Sequence, residues 1–447
     1  MDGSTLINTR SNQLYINAGG SLNDFDLAGQ SRVIDGIIDM GAFESTHISI
    51  TPTSNVIYVR KGGFGDQTGS SWDNAISELA DALRWARGRW ESDEIAAGWD
   101  IGNPLYIYVA IGTYSPLYDA VYYTTNGGRD NAFVMLPFVQ IIGGFDPVTD
   151  FDFDTRILPH ADTDPGTFSG TILSGDLDGN DNLDNFDNHG ENAYHVVVSA
   201  GSVGMASLSG VMVTNGYSIG AFGSQTLNGA PLPRASGAGV MILNSSPELF
   251  DMMITGNLAT ANGGGIYIGG DSNPLIYNVQ VLDNTAGSNG GGIYSTFTDH
   301  NLPYFSEVVI SGNTAEVGGG LYNLNSSIEL NNVKITHNNA HSNGGGIYNN
   351  TSSSVFTNVL ITENTAKSGG GMYNSNGGDL VITNVVISDN TATNTTQGFG
   401  GGIFNNGNNS VLTNTTITGN ITLSPGGNSA GIHHINGTIK LRNSIIR

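Results

Sequence analysis

Cysteine is absent from this 447-residue chain, so disulfide bonds and thiolate metal sites are excluded. Lysine and arginine are scarce: 15 of them stand against 39 aspartates and glutamates, and the formal net charge is -24. Nucleic acids and anionic membrane surfaces are therefore disfavoured as partners, because binding phosphates requires cationic side chains. The chain also lacks any run of about 18 apolar residues, which argues against a transmembrane helix.

The N-terminal stretch lacks the basic region and the apolar core that together form a signal peptide. The acidic composition nevertheless suits solubility outside the cell and the binding of cations. We therefore expect an internal segment of a longer protein, located at the cell surface or outside the cell.

Glycine, in contrast, is abundant, with 64 residues, about twice the usual share. Much of it belongs to the motif GGGIY and its variants, whose aromatic positions lie 27, 28, 26, 25 and 31 residues apart. A fixed period of this size indicates a solenoid. The segments within each period are short and β-branched, which predicts a parallel β-helix with one coil per repeat. The motif occupies Gly263–Tyr267, Gly290–Tyr294, Gly318–Tyr322, Gly344–Tyr348, Gly369–Tyr373 and Gly400–Phe404.

Alignment of the repeats predicts two neighbouring columns. The residue after the glycines is aliphatic in every repeat and should face the core, as in Ile266, Ile293, Leu321, Ile347 and Ile403. The next residue should face outward, because side chains alternate along a strand. This second column is a ladder of aromatic rings that either stack on one another, offer a platform to a glycan, or pack beneath a loop. Its members are Tyr267, Tyr294, Tyr322, Tyr348, Tyr373 and Phe404.

Two asparagine columns recur at the same period. One precedes the strands, as at Asn332 and Asn358, and the other lies at the following turn, from Asn257 to Asn420. Asparagine tolerates left-handed turns and can bond the same amide one coil away. We interpret both columns as structural ladders rather than binding sites.

The rest of the chain divides by composition. Residues 1–46 are followed by a polar linker at 47–55, and residues 56–145 should form an N-terminal cap with the first coils. An amphipathic helix is predicted over Ala75–Trp90, capped by Asp73 or Asn74, and it should cover the open first coil. An acidic insertion occupies residues 146–192, and β-helix coils fill residues 193–447.

The acidic insertion contains the best chemical signal in the sequence. Oxygen-bearing side chains occupy positions 1, 3, 5, 9 and 12 of a loop, a spacing that resembles EF-hand and dockerin calcium loops. Position 6 is Asp181 rather than glycine, and position 12 is aspartate rather than glutamate. The alternative is an acidic solvated loop. The predicted Ca²⁺ ligands are Asp176, Asp178, Asn180, Asp184 and Asp187.

Many parallel β-helices cleave acidic polysaccharides, but this sequence supports such an activity less well than it supports calcium binding. A lyase requires cationic groups and a base, and a hydrolase requires paired carboxylates. Positive residues are few in the regular coils, and Asp283, Glu363 and Asp389 are separated in their column by Gly312 and His337. The most suggestive local pair is Asp299 with His300, in a longer turn. The sequence yields no set of catalytic residues.

The repeats resemble the polymorphic-outer-membrane-protein-like, right-handed β-helix repeats of bacterial surface proteins. Three stretches, Gly143–Phe145 with Thr155-Arg156, Thr171–Asp176 and Asn192–Val197, look like the N-terminal part of such domains in large secreted Bacteroidota proteins. The stretch Ile16–Glu44 looks like the end of the same domain, the choice-of-anchor type. The resemblance implies an all-β, right-handed parallel β-helix and an extracellular protein of adhesin type.

The function that the sequence favours is that of a non-catalytic adhesin or rigid spacer, with a glycan or another cell-surface ligand as partner. The rival is a pectin lyase-like polysaccharide lyase or glycoside hydrolase. Because the end motif comes first, residues 1–46 should be the tail of a preceding tandem domain, able to dock head-to-tail on the open last coil of another molecule.

Overall fold

The computed structural model describes residues 50–92, 98–125, 128–148, 152–160, 163–181, 189–220, 224–296, 302–395, 399–424 and 429–447, and the short antiparallel strands Val33–Ile34 and Ile37–Ile38. The chain divides into two compact units, Met1–Thr51 and Pro52–Arg447. The second unit is an all-β, right-handed parallel β-helix with one helix near its N-terminal end, as predicted. No helix among these residues is long and apolar enough to span a membrane.

Each regular coil contributes one short strand to each of four faces. The first face contains the strand that follows the glycines, and strands of successive coils pair in parallel and in register, as in Ile293↔Leu321 and Tyr294↔Tyr322. Its strands are Phe133–Val134, Val197–Ala200, Val240–Leu243, Ile266–Gly269, Ile293–Thr296, Leu321–Leu324, Ile347–Asn350, Met372–Ser375 and the first parts of Ile403–Thr413 and Ile432–Arg442.

The second and third faces meet at a sharp corner, around which two long strands, Glu248–Thr255 and Leu275–Leu282, run without a break. The second face otherwise contains Val56–Val59, Leu105–Ala110, Val139–Phe145, Ser207–Ser209, Tyr304–Ser306, Glu329–Asn331, Val355–Thr357, Asp379–Thr383 and the later parts of Ile403–Thr413 and Ile432–Arg442. The third face otherwise contains Gly112–Tyr114, Thr171–Ser174, Val211–Thr214, Val309–Ser311, Lys334–Thr336, Leu360–Thr362, Val386–Ser388, Thr416–Thr418 and Ile445–Ile446.

A narrow fourth face closes each coil before the next glycine motif. It consists of Tyr217–Ser218, Leu258–Ala259, Thr285–Ala286, Thr314–Val317, Asn339–Asn343, Thr365–Ala366, Thr391–Ala392 and Ile421–Thr422. One antiparallel hairpin, Ser224–Leu227 with Ala230–Pro233, leaves the solenoid. Short 3-10 turns lie at Trp72–Asn74, Gly128–Asp130, Phe153–Thr155, Pro165–Thr167 and His189–Glu191.

The three glycines of each motif have separate steric causes, which the coil at Gly290–Gly292 shows. Gly290 has φ +65°, a left-handed conformation that glycine adopts without strain. A Cβ on Gly291 would lie 2.4 Å from the carbonyl oxygen of Thr314 in the next coil. A Cβ on Gly292 would lie 2.7 Å from the Gly320 carbonyl oxygen and 3.0 Å from Asn313 Nδ2. Coils can therefore pack this closely only where side chains are absent.

The aliphatic column fills the interior as predicted. Ile266, Ile293, Leu321 and Ile347 are all 0% exposed, and Ile403 is 2% exposed. Ile432, the member of this column in the last described coil, is half-buried. Exclusion of this apolar surface from water is the main stabilising term in each coil.

The helix covers the first coils, but it begins later than predicted. It spans Leu79–Ser92 and contacts the strands Val56–Val59 and Phe133–Val134. The prediction that it starts at Ala75 was wrong, because Ile76 exchanges backbone hydrogen bonds with Tyr58 and Arg60 instead. Asp73 and Asn74 consequently lie in a 3-10 turn and do not cap the helix.

Candidate functional site

The six predicted aromatic residues form one continuous stack along the first face, here called the aromatic column. Neighbouring ring centroids lie 4.4–5.3 Å apart and the ring planes are tilted by 9–26°. His433 extends the stack, with its ring 5.3 Å from that of Phe404. Tyr294, Tyr322 and Phe404 are only 6%, 9% and 5% exposed, and burial raises the pKa of Tyr267 to about 12. The ring faces are therefore occupied by one another, and mainly edges and hydroxyls remain for a ligand.

The asparagines at the turn between the third and fourth faces form a buried ladder, here called the inner asparagine column. Each Nδ2 donates to the Oδ1 of the next asparagine at 2.9–3.1 Å. The same Oδ1 also accepts the backbone N–H of the preceding asparagine. These bonds satisfy a polar group in every coil, which supports the structural interpretation. The members are Asn257, Asn284, Asn313, Asn338, Asn364, Asn390 and Asn420.

A second buried asparagine column escaped sequence analysis. Asn323, Asn349, Asn374 and Asn405 are at most 1% exposed and lie inside the first face, two positions after the aliphatic column. Asn349 Nδ2 donates to Asn374 Oδ1 at 3.0 Å. The signal was present, because each of these asparagines directly follows a ring of the aromatic column.

The exposed corner between the second and third faces holds the other predicted column, here called the outer asparagine column. Asn332, Asn358, Asn384 and Asn414 have φ between 53° and 56°, the left-handed conformation expected for them. Their side chains bond one another at 3.0–3.2 Å. Glu307 stands in this corner with φ 56°, in the coil between Asn278 and Asn332.

One pair of titratable groups meets on the corner between the third and fourth faces. His337 Nε2 lies 2.9 Å from Glu363 Oε2, and His337 Nδ1 lies 2.8 Å from Thr336 Oγ1. Both members of the pair are exposed, at 63% and 51% of their side-chain surface. Asp299 and His300, the pair suggested by the sequence, lie outside the described residues.

A cluster of acidic side chains lies near the N-terminal coils, away from the regular repeats. We call it the acidic corner, and it consists of Asp176, Asp181, Glu191 and Asn192. One carboxylate oxygen from each of the three acidic residues lies within 4.8 Å of the others. Asp176 follows the strand Thr171–Ser174, whereas Glu191 ends the 3-10 turn His189–Glu191 before the next coil resumes. The corner therefore brings together residues that follow a third-face strand and residues that precede the next first-face strand.

Hydrogen bonds orient part of this corner. Asp176 Oδ1 accepts the Gly179 amide at 2.7 Å, and its Oδ2 accepts the Asp181 amide at 3.1 Å. Asn192 Nδ2 donates to Asp181 Oδ2 at 2.6 Å, and His189 Nε2 lies 3.3 Å from the same oxygen. Burial, aided by the charges of Asp176 and Glu191, raises the pKa of Asp181 to about 6. Burial likewise raises the pKa of Glu191.

Comparison with known proteins finds similarity in the repeats. Residues 194–366 match the family model described as "Right handed beta helix region". No curated protein matches the chain. A solved structure entitled "Crystal structure of pectate lyase Pel9A" is similar at 12% identity and a TM-score of 0.42, with 89% of this chain and 79% of that chain covered.

The five residues predicted to bind Ca²⁺ do not all lie in one site among the described residues. Asp176 belongs to the acidic corner, whereas Asp178 and Asn180 are exposed and bond each other, with Asn180 Nδ2 2.8 Å from Asp178 Oδ2. Asp184 and Asp187 lie outside the described residues. Sequence analysis missed Asp181 and Glu191, although Asp181 occupied the position where a calcium loop has glycine.

Proposed function

We propose that this protein is a non-catalytic extracellular module that serves a larger surface or secreted protein as a rigid spacer or adhesin. The observation that supports it is the continuity of the columns. The aromatic column and the asparagine columns couple each coil to the next through stacked rings and amide bonds. Such coupling suits a stiff rod, because bending would break a contact in every column.

As an adhesin, the module would bind its ligand along the first face. A glycan that stacks on aromatic rings needs a free ring face, and here the faces are covered by neighbouring rings 4.4–5.3 Å away. A glycan would therefore contact ring edges and tyrosine hydroxyls. This geometry favours the spacer as the main role, with glycan binding through polar groups as the added role.

The last described coil exposes apolar side chains, since Leu441, Ile445 and Ile446 are 47%, 51% and 42% exposed. We propose that residues 1–46 of a second copy or tandem domain cover it, in a heterologous contact that builds chains. Light scattering after size-exclusion chromatography tests this over a concentration range. We expect the measured molar mass to rise with concentration in the full chain and to stay constant when residues 1–46 are deleted. A full chain that is monomeric at every concentration contradicts the proposal.

The main experiment separates binding from catalysis. The full chain is applied to a glycan array and, in parallel, incubated with acidic polysaccharides while reducing ends and unsaturated uronate products are measured. We expect no turnover above background, with or without Ca²⁺. Reproducible product formation contradicts the proposal. Antibody labelling of intact source cells, with and without surface proteolysis, tests the extracellular location.

The rival function is a polysaccharide lyase or glycoside hydrolase, and the observation that favours it is the contact of His337 with Glu363 and Thr336. A histidine oriented by a carboxylate can act as a base. If product forms, His337→Ala should abolish it, whereas Lys440→Ala, an exposed change in the last coil, should not. Turnover that persists in His337→Ala removes this pair as the source.

A further inference from the structure

The acidic corner contains buried oxygens that no hydrogen bond satisfies. Asp181 Oδ1, Glu191 Oε1 and Asn192 Oδ1 are inaccessible to solvent and have no hydrogen-bond partner. The Asp181 side chain is only 1% exposed and Asn192 is 0% exposed. A buried acceptor without a partner is costly, and a buried carboxylate is more so. Three such atoms on residues that contact or adjoin one another form a site suited to a positive ligand.

The surrounding donors are already engaged elsewhere. Asn192 Nδ2 is shared between Asp181 Oδ2 and the backbone oxygen of Asn215, at 2.6 and 2.9 Å. Arg129 donates its Nε to the Asn192 carbonyl at 2.7 Å and its guanidinium lies over the Tyr194 ring. The backbone amides of Gly179 and Asp181 bond Asp176. These donors leave Asp181 Oδ1 and Glu191 Oε1 without a partner.

The geometry points to a divalent cation. We propose that Asp176, Asp181 and Glu191 bind one Ca²⁺, with the Asn192 amide oxygen as a further ligand. Calcium takes oxygen ligands at about 2.3–2.6 Å, so two ligands of one ion lie up to about 5 Å apart. The three carboxylates fit that span, since their oxygens lie within 4.8 Å of one another. Magnesium requires oxygens at about 2.0–2.1 Å and is less well matched.

The proposed ion would fasten the two ends of the segment between residues 176 and 192 to each other. Asp176 and Asp181 lie after the third-face strand Thr171–Ser174, whereas Glu191 and Asn192 lie before the first-face strand Val197–Ala200. Ca²⁺ would therefore be a structural link between residues that follow one strand of the solenoid and residues that precede the next. The inference does not depend on whether the module binds a glycan.

Titration of the chelator-treated full chain with CaCl₂ by calorimetry is the primary test. We expect one binding event per chain, a weaker response to MgCl₂, and a thermal unfolding midpoint that rises with Ca²⁺, since a ligand bound only to the native state stabilises it. Glu191→Gln and Asp181→Asn should each weaken binding by about tenfold or more. Asp379→Asn, an exposed change on the second face, serves as the charge-matched control and should bind like the wild type.

Three outcomes overturn the inference. One is no heat of binding at millimolar Ca²⁺, and another is wild-type affinity in both Glu191→Gln and Asp181→Asn. The third is loss of binding in the double variant Asp184→Asn/Asp187→Asn while Glu191→Gln still binds, because the ion would then use the linear loop spacing instead. Circular dichroism confirms that each variant is folded. Tyrosine-sensitised Tb³⁺ luminescence, lost in Glu191→Gln, adds a readout of position, since Tyr217 lies beside His189, 5.4 Å between ring centroids.

Discussion

The regular coils and the acidic corner differ in whether their buried polar groups have hydrogen-bond partners. In the coils, each amide of the inner asparagine column bonds the next at 2.9–3.1 Å, and unpartnered atoms such as Gln280 Oε1 and Ser410 Oγ lie in separate coils. In the acidic corner, three unpartnered oxygens belong to Asp181 and its neighbours Glu191 and Asn192. Repetition allows a polar group to be satisfied by its own copy, whereas an aperiodic corner requires a different partner. The corner is therefore the better place to look for a ligand.

The largest effect should come from charging the interior of the regular coils. Ile347 is 0% exposed and pairs with Leu321 and Met372 in the neighbouring coils. Ile347→Asp buries a carboxylate without a partner, which should lower the free energy of unfolding by roughly 4 kcal/mol. Urea denaturation measures the change. Val386→Asp is the control, because Val386 is 39% exposed, and it should change little. Equal losses in both variants would contradict the assigned register.

The inner asparagine column should be the next most sensitive feature. Asn338 donates to Asn364 Oδ1 and to the Ile310 carbonyl, and it accepts two N–H groups of Asn313. Asn338→Leu leaves these groups buried without partners, at a cost of about 3 kcal/mol. Asn358→Gly removes only two exposed bonds of the outer asparagine column, to Asn332 and from Asn384, and should cost less than about 1 kcal/mol. If the exposed variant proves the more damaging of the two, the division between inner and outer columns is mistaken.

Folding stability should fall at acidic pH because of a buried histidine, His195, in the coil that follows the acidic corner. His195 is 5% exposed, and burial lowers its pKa to about 4 even though its ring bonds the Gly237 carbonyl at 2.9 Å. Because the unfolded state then binds a proton more readily than the folded state, stability is retained above about pH 6.5 and lost as pH falls toward 4. The contribution of His195 to the difference in stability between pH 7.5 and pH 5 should be about 2 kcal/mol.

His195→Gln checks that assignment. The variant should be less sensitive to pH across the same window, measured by urea denaturation at each pH. An unchanged pH profile in His195→Gln would assign the sensitivity to other groups. The carboxylates of Asp181 and Glu191 in the acidic corner are not among them, because their raised pKa values favour the folded state as pH falls.

The smallest effect is expected in the aromatic column. Tyr322 stacks between Tyr294 and Tyr348, with centroids 5.3 and 4.9 Å away. Tyr322→Leu keeps an apolar side chain but removes two stacking contacts, which should cost about 1–2 kcal/mol. Tyr322→Phe keeps both contacts and should be nearly neutral in thermal unfolding. A large loss of glycan binding in Tyr322→Phe, with stability unchanged, would instead indicate a binding role for the hydroxyls.

Periodic features could be predicted from the sequence because each coil repeats the preceding one about 4.8 Å away. The period alone therefore places Ile293 beside Leu321, Tyr294 beside Tyr322 and Asn313 beside Asn338, and all three contacts are present. The buried column of Asn323 and Asn349 follows the same logic, since each lies two positions after the aliphatic column, but the sequence analysis did not identify it.

Aperiodic features needed the tertiary structure. The helix begins at Leu79 rather than Ala75, because the backbone of Ile76 bonds Tyr58 and Arg60 across the first coil. The acidic corner brings Asp181 to Glu191, ten positions later, and no regular spacing relates them. The sequence by itself determined which residues stack from coil to coil, since translation along the solenoid follows from the repeat length. Only the tertiary structure decided which carboxylates meet, because Asp181 and Glu191 belong to a stretch that no other coil repeats, so no translation along the solenoid relates them.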